Sequence, residues 1–241
     1  MPLPTIATPT YELVLPSTKK NIKFRPFLVK EEKLLVLAME SEDMKQITTA
    51  IKSVLKSCIQ TRGIKVETLP TFDIEFLFLN IRGKSVGEEI ELNVIAPDDG
   101  DTRIPVVINL DDIKVQEEEG HNKRIKLDDS LMMDMKYPSL DQFIKSNFDF
   151  SNQSAANLDQ SFDLIASCID KIYSEDEVWS TDDVSKKEVV GFLEQMNSSQ
   201  FKDIERFFST MPKLRHEMEV VNPKTKVKST VVLEGLASFF G

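Results

Sequence analysis

The sequence predicts an α+β protein, mainly helical with two β-hairpins, and three observations carry that reading. Apolar residues recur at three- and four-residue spacing in several segments, as in helices with one buried face. Alternating or β-branched apolar residues flank PDDGD at 97–101 and NPKTK at 222–226, which mark two hairpins. The chain has 241 residues, 41% of them apolar, enough for one large domain or two small ones around a buried core.

Pro2, Pro4, Pro9 and Pro16 punctuate residues 1–20, which predicts an extended Pro-rich arm with strand propensity only over Tyr11–Leu15. Ile22 and Phe24 alternate before Pro26, giving a short strand that leads into a helix over 30–40. Ser41, followed by Glu42 and Asp43, caps a second helix whose stripe is Met44, Ile47, Ile51, Val54, Leu55, Cys58 and Ile59. Asp73–Ile81 is apolar on more than one face, so a helix buried between others is predicted there. Ile90, Leu92 and Val94, with Ile104 to Ile108, form the first hairpin. Gln116–Lys123 reads as an exposed loop and Arg124–Tyr137 as an extended stretch.

Asn147–Asn157, rich in Ser and Asn, is the best internal boundary. Beyond it Leu158, Phe162, Ile165, Ile169 and Ile172 predict one helix. Ser185 and Glu188 have the form of a capping box for the next, and Phe201, Ile204 and Phe208 mark a third that Pro212 stops. Glu217–Val221 and Lys226–Leu233 are the second hairpin, closed by the apolar ending LEGLASFF. The division that follows is an arm over 1–20, an N-terminal α+β lobe over 21–146 and a C-terminal helical lobe with a terminal hairpin over 147–241. The two hairpins overlay without a gap, with Glu91 on Glu217, Val94 on Val220, Pro97 on Pro223 and Leu110 on Leu236. Duplication would give two pseudo-repeated helix-plus-hairpin lobes; convergent hairpin chemistry is the competing reading.

The net charge of −10 makes the chain a poor counter-ion for phosphate, so nucleic acid is disfavoured as a partner. No apolar run is long enough for a membrane helix, and the N-terminal segment lacks the basic and apolar regions of a signal peptide, which predicts a cytoplasmic protein. Cys58 and Cys168 form neither a disulfide framework nor a metal knuckle, and Cys58, on an apolar stripe, reads as an inert core thiol.

Catalytic chemistry finds little support. His121 and His216 have no convincing partners in the sequence, and no nucleophile elbow, zinc-protease or phosphate-loop motif is present. The pairs Glu31/Glu32, Asp111/Asp112 and Asp182/Asp183 are adjacent and tend to point apart. Asp98, Asp99 and Asp101 lack the EF-hand pattern and read as a solvated turn; Met132, Met133 and Met135 read as strand packing. Neither a metal nor a cofactor is expected. Trp179, alone among acids, is either a partner anchor or semi-buried packing.

NIKFRPFLVKEEKLLVLAMES at 21–41 resembles the baseplate hub subunit and hub assembly proteins of T-even-like contractile-tailed phages. The likeness continues through LPTFDIEFLFLNIRGKSVGE at 69–88, MKYPS at 135–139, FFSTMPKLRHEMEV at 207–220 and LEGLASFF. Some relatives carry paired cysteines in the hairpins where this chain has PDDGD and NPKTK, so no metal staple is expected here. The resemblance implies a non-enzymatic tail protein acting in assembly of the central baseplate hub. It would be a chaperone-like factor or a hub subunit retained in the virion, with hub or tape-measure components as partners. It would reside in the host cytoplasm during assembly, or in the virion baseplate. Within the matched motif, Arg25, Glu31, Glu32 and Lys33 form a candidate exposed ion-pair cluster, with Phe24 and Phe27 either anchoring a partner or closing the core. Trp179 completes the set of candidate contacts.

Overall fold

The computed structural model describes residues 6–142, 155–181, 183–235 and Ser238, with side chains other than those of Met44 and residues 155–160. The protein is α+β, but it is not mainly helical with two hairpins. Among the described residues, strands form four antiparallel sheets, and the two larger ones include strands that local sequence does not announce. The strands are β1 (Tyr11–Val14), β2 (Asn21–Phe24), β3 (Glu89–Ile95), β4 (Arg103–Asn109), β5 (Lys114–Gln116), β6 (Arg124–Lys126), β7 (Met132–Met135), β8 (Ile169–Tyr173), β9 (Val178–Ser180), β10 (Lys213–Val221) and β11 (Lys228–Glu234). The helices are α1 (Val29–Glu40), α2 (Met44–Cys58), α3 (Thr71–Val86), α4 (Ala155–Cys168), α5 (Lys186–Leu193) and α6 (Ser198–Thr210).

The chain divides into two compact units, and no single cut separates them. The first comprises Met1–Val66, Phe72–Gln116 and Lys213–Gly241; the second comprises Glu67–Thr71 and Glu117–Pro212. This differs from the arm and two consecutive lobes read from the sequence, because β10 pairs with both β11 and β5 and so returns the C-terminal hairpin to the first unit. Most of the predicted boundary, residues 147–154, lies outside the described residues. Part of the predicted arm is a strand, within the Tyr11–Leu15 stretch given strand propensity: β1 pairs with β2, and Leu15 is fully buried.

In the first unit three hairpins share one loop design. In Leu15–Lys20, Ala96–Thr102 and Asn222–Val227, the first residue donates its N–H to the last residue's carbonyl and is followed by proline. The fourth residue after it donates back to the first residue's carbonyl at 2.9 Å in each loop, and that residue, Lys19, Gly100 or Lys226, has positive φ. Proline presets the entry into the turn, and the left-handed residue reverses the chain. The second and third hairpins are not copies in register. Glu91 faces Val107, whereas Glu217 faces Val232, one residue short of the position the gapless overlay requires. Such a slip reverses the faces of a strand. Both hairpins belong to the same unit, so pseudo-repeated helix-plus-hairpin lobes are not present.

α3 is buried on several faces, with Phe72, Ile74, Leu77, Phe78, Leu79 and Ile81 in the interior. Its Gly83 makes room for Leu110: a Cβ there would lie 2.8 Å from Leu110 Cδ1, so the leucine side chain would have to shift. At its N-terminal end the buried Asp73 accepts from the Ser17 backbone N–H at 3.1 Å and from the Ser17 hydroxyl, anchoring the first hairpin loop.

In the second unit β6-β7-β8-β9 form one sheet, and Met133, Met135, Ile165, Ile169, Leu193, Ile204 and Phe207 share its core. Ile169 and Ile172, expected on a helix, lie on β8. Their three-residue spacing suits a strand here because a bulge shifts the register between Asp134 and Met135, putting Ile169 opposite Met135 and Lys171 opposite Asp134. The Ser185–Glu188 capping box is present on α5, and Asn197 with Gln200 forms another on α6. The Gln116–Lys123 segment is exposed as expected except at His121, which is half-buried. His121 sits 5.7 Å from the Tyr137 ring and 5.3 Å from Phe207, and its ring nitrogens contact Thr210 Oγ1 and Tyr137 OH at 2.9 and 3.0 Å.

Candidate functional site

α1 is turned inside out. Glu31, Leu35 and Ala38, one face at i, i+4 and i+7, are buried, while Val29 is 80% exposed and Leu34, Val36, Leu37 and Met39 are at least 40% exposed. Part of the reason is local: residues 34–39, LLVLAM, place apolar side chains on every side of a helix, so burying any one face leaves others in water. The buried face is selected by Arg25 on the β2–α1 connection. Its Nη2 lies 3.0 Å from Glu31 Oε1, its Nη1 donates to the Pro26 carbonyl at 2.8 Å, and Glu31 Oε2 accepts from the Leu28 N–H at 2.8 Å, capping the helix. Burial opposes ionisation of Glu31, but the Arg25 hydrogen bond, the Leu28 N–H and the nearby cations outweigh it and hold the carboxyl below its ordinary range.

α2 packs beside α1. Asp43 caps it by accepting from the Lys45 N–H at 2.9 Å, whereas Ser41 closes α1 by donating to the Ala38 carbonyl; the cap is therefore two residues later than the sequence reading placed it. Ile51, Val54, Leu55 and Cys58 form its inner face. Between the two helices lies an open groove of about 440 Å³, walled on one side by Leu34, Leu37 and Ala38 and on the other by Lys45, Gln46, Thr49, Ala50 and Ser53.

The structure separates the candidate contacts. Phe24 and Phe27 are buried, the former beside Tyr11 at 5.8 Å and the latter with its N–H donated to Ser85 Oγ. Arg25 and Glu31 are a buried pair and not an exposed cluster; their side chains are 14% and 6% exposed. Glu32 and Lys33 are exposed on α1. Trp179 lies on β9 opposite Ile172 in the second unit, 40% exposed. Sequence reasoning passed over Leu34, Val36, Leu37 and Met39, although the unbroken apolar run was the signal.

The reactive groups are dispersed. Burial pushes the Cys58 thiol up to about 11 and the Cys168 thiol up to about 12, which suits inert thiols. His216 is half-buried, with Nδ1 3.4 Å from the Asp112 carbonyl oxygen. Among the described residues, no group of three or more His, Cys, Asp or Glu side chains could hold a metal ion, and no helix is long and apolar enough to cross a membrane. The Asp98–Asp101 turn is exposed to solvent, as expected, and is also held by hydrogen bonds. The buried Asn222 amide donates to both Asp98 and Asp99 at 3.0–3.1 Å, Thr225 donates to Asp98, and Thr102 donates to Asp99. These bonds hold both carboxyls below their ordinary range and staple the tips of the second and third hairpins to each other.

The family described as T4 bacteriophage base plate protein matches residues 8–241. The chain belongs to that family. This base plate protein is therefore a component of the phage baseplate system, whose members interact with other tail proteins. Neither the comparison with curated proteins nor that with solved structures gave a match. The hairpin tips of this base plate protein, lacking cysteine, are joined by Asn222.

Proposed function

We propose that this base plate protein is a non-enzymatic, chaperone-like factor that promotes assembly of the central hub in the host cytoplasm, through contacts with hub or tape-measure components. The observation that supports this is the inverted α1: a helix with buried Glu31 turns Val29, Leu34, Val36 and Leu37 out to solvent, an exposure of large apolar side chains that favours a protein contact. The net charge of −10 keeps a chain with such a surface soluble before it meets its partner and after it leaves. Within this reading Glu32 and Lys33 edge the contact surface, Arg25 and Glu31 hold the helix in its inverted setting with Phe24 and Phe27 beneath, and Trp179 offers a separate anchor on the second unit.

The test is quantitative mass spectrometry of purified mature particles beside infected-cell lysate. An assembly factor is abundant in lysate and absent from particles. A fixed integer copy number per tail would overturn the transient role and make the chain a structural hub subunit.

A further inference from the structure

We propose that β11 joins two copies of this chain edge to edge, antiparallel about a two-fold axis at Val231, so that their β11-β10-β5 sheets become one. Two bonds that flank the strand pair, Asn222 N–H to the Val227 carbonyl and Gly235 N–H to the Leu214 carbonyl, both 3.0 Å, fix which residues of β11 bond to β10. Bonded and non-bonded pairs alternate in an antiparallel ladder, so Ser229, Val231 and Leu233 turn their backbone groups to β10. Lys228, Thr230, Val232 and Glu234 turn theirs outward. The Glu234 carbonyl accepts from the Ser238 hydroxyl at 2.7 Å. Among the described residues the backbone groups of Thr230 and Val232 meet no partner strand, and both residues are exposed. Such an edge is a template for another strand.

The other edges of the first unit are blunted. On β2 the Lys23 N–H donates to Thr61 Oγ1 and its carbonyl accepts from the Gln60 N–H, both at 2.8 Å. On β4 the same alternation, set by Ala96 N–H to the Thr102 carbonyl, puts Pro105 on the outer edge, where it has no N–H to offer. β3 carries Glu89 and Glu91, and β10 beyond its pairing with β5 carries Glu217 and Glu219, whose carboxylates would repel those of a second copy. β1 and β5 are short.

The register of β11 names the occupant. Outward residues must face outward residues, and only pairing centred on Val231 uses all four. It sets Thr230 opposite Val232 of the second copy, Val231 opposite Val231, and Lys228 opposite Glu234 at both ends. The sequence of the edge is thus self-complementary in charge, and its Thr and Val pairs suit a ladder. Lys228 Nζ already lies 2.6 Å from Glu219 Oε2, and Glu234 Oε1 lies 3.0 Å from Lys213 Nζ, so charges of alternating sign would cross the joined sheet. The two-fold contact consumes the edge, which closes the assembly at two copies.

Sedimentation equilibrium of the full chain over a concentration series tests this, with the mass expected to rise from 27.4 kDa to twice that value. Val232→Pro, which gives β11 the outer-edge proline that β4 has, leaves the chain monomeric. Lys228→Glu and Glu234→Lys each set like charges together at both ends and weaken the dimer about tenfold or more; both positions are exposed, so these variants carry the test if Val232→Pro does not fold. Mixing the two restores the dimer, because each chain then meets the opposite charge at both ends, which a merely damaged strand would not do. Val231→Cys forms an intermolecular disulfide on mild oxidation, as directly opposed residues allow. A mass that stays at 27.4 kDa up to about 1 mM overturns the proposal and leaves the edge to a strand of another protein. A dimer that survives Val232→Pro or is indifferent to both charge variants, a mixture that restores nothing, or species growing beyond two copies overturns it as well.

Discussion

Arg25→Ala removes the cation that lets α1 bury a carboxylate. The guanidinium pairs with Glu31 at 3.0 Å, and the two side chains are 14% and 6% exposed, so the pair is shielded from water. Breaking a buried pair by deleting one partner costs about 3–5 kcal/mol, because the remaining charge stays desolvated. Here the Leu28 N–H still donates to Glu31 and Lys30 Nζ is 3.5 Å away, so the expected loss at neutral pH is about 2–4 kcal/mol. The sign of the pH dependence follows from Glu31. Its folded pKa is depressed, so its contribution is fully present above the unfolded value near 4.5 and is lost as pH falls through the folded value. In Arg25→Ala the carboxylate is less compensated and takes up its proton at a higher pH than in wild type, so the gap between wild type and variant narrows as pH falls from the variant's folded value to the lower wild-type one. Urea denaturation of both proteins between neutral and acidic pH reads this directly, and Arg25→Met/Glu31→Leu should recover most of the loss. A variant within about 0.5 kcal/mol of wild type at neutral pH, or a gap independent of pH, would refute the argument that Glu31 is held in the interior by Arg25.

Asn222→Ala should cost about 1–3 kcal/mol, since the amide that joins Asp98 and Asp99 is 1% exposed; urea melts check the cost, and faster amide exchange confined to the hairpin tips would locate it. Lys226→Gly should stabilise the protein by a few tenths to about 1 kcal/mol, because Lys226 has φ +64°, whereas Lys226→Val should destabilise it; thermal melts decide the order. Thr210 Oγ1 already donates to the Arg206 carbonyl, so His121 Nδ1 donates to Thr210 and Nε2 accepts from Tyr137, a neutral ring. Burial lowers its pKa, outweighing the opposite pull of Glu117, with Lys123 adding to the lowering, so its stabilisation is complete above the unfolded value near 6.5 and is lost as pH falls below it. Melting temperature should therefore fall with pH through that window in wild type more than in His121→Gln.

The sequence by itself determined what local chemistry can encode. The stripe on α2, the all-round apolar α3, the Ser185 capping box and the two proline-led hairpin turns each rest on neighbours within a few residues, and each is in the structure. The first hairpin lay in what the sequence reading took as an extended arm, although PSTK at 16–19 matches PKTK at 223–226 in turn chemistry and was the signal for it. Tertiary structure alone decided the rest. β5 is a strand because β10 pairs with it from far along the chain, and β8 escapes the helical reading through a bulge opposite β7. The setting of α1 is the clearest case. Its residues permit several buried faces, and only the fold brings Arg25 to Glu31, which turns the carboxylate inward and leaves Leu34, Val36 and Leu37 facing water, where a partner can reach them.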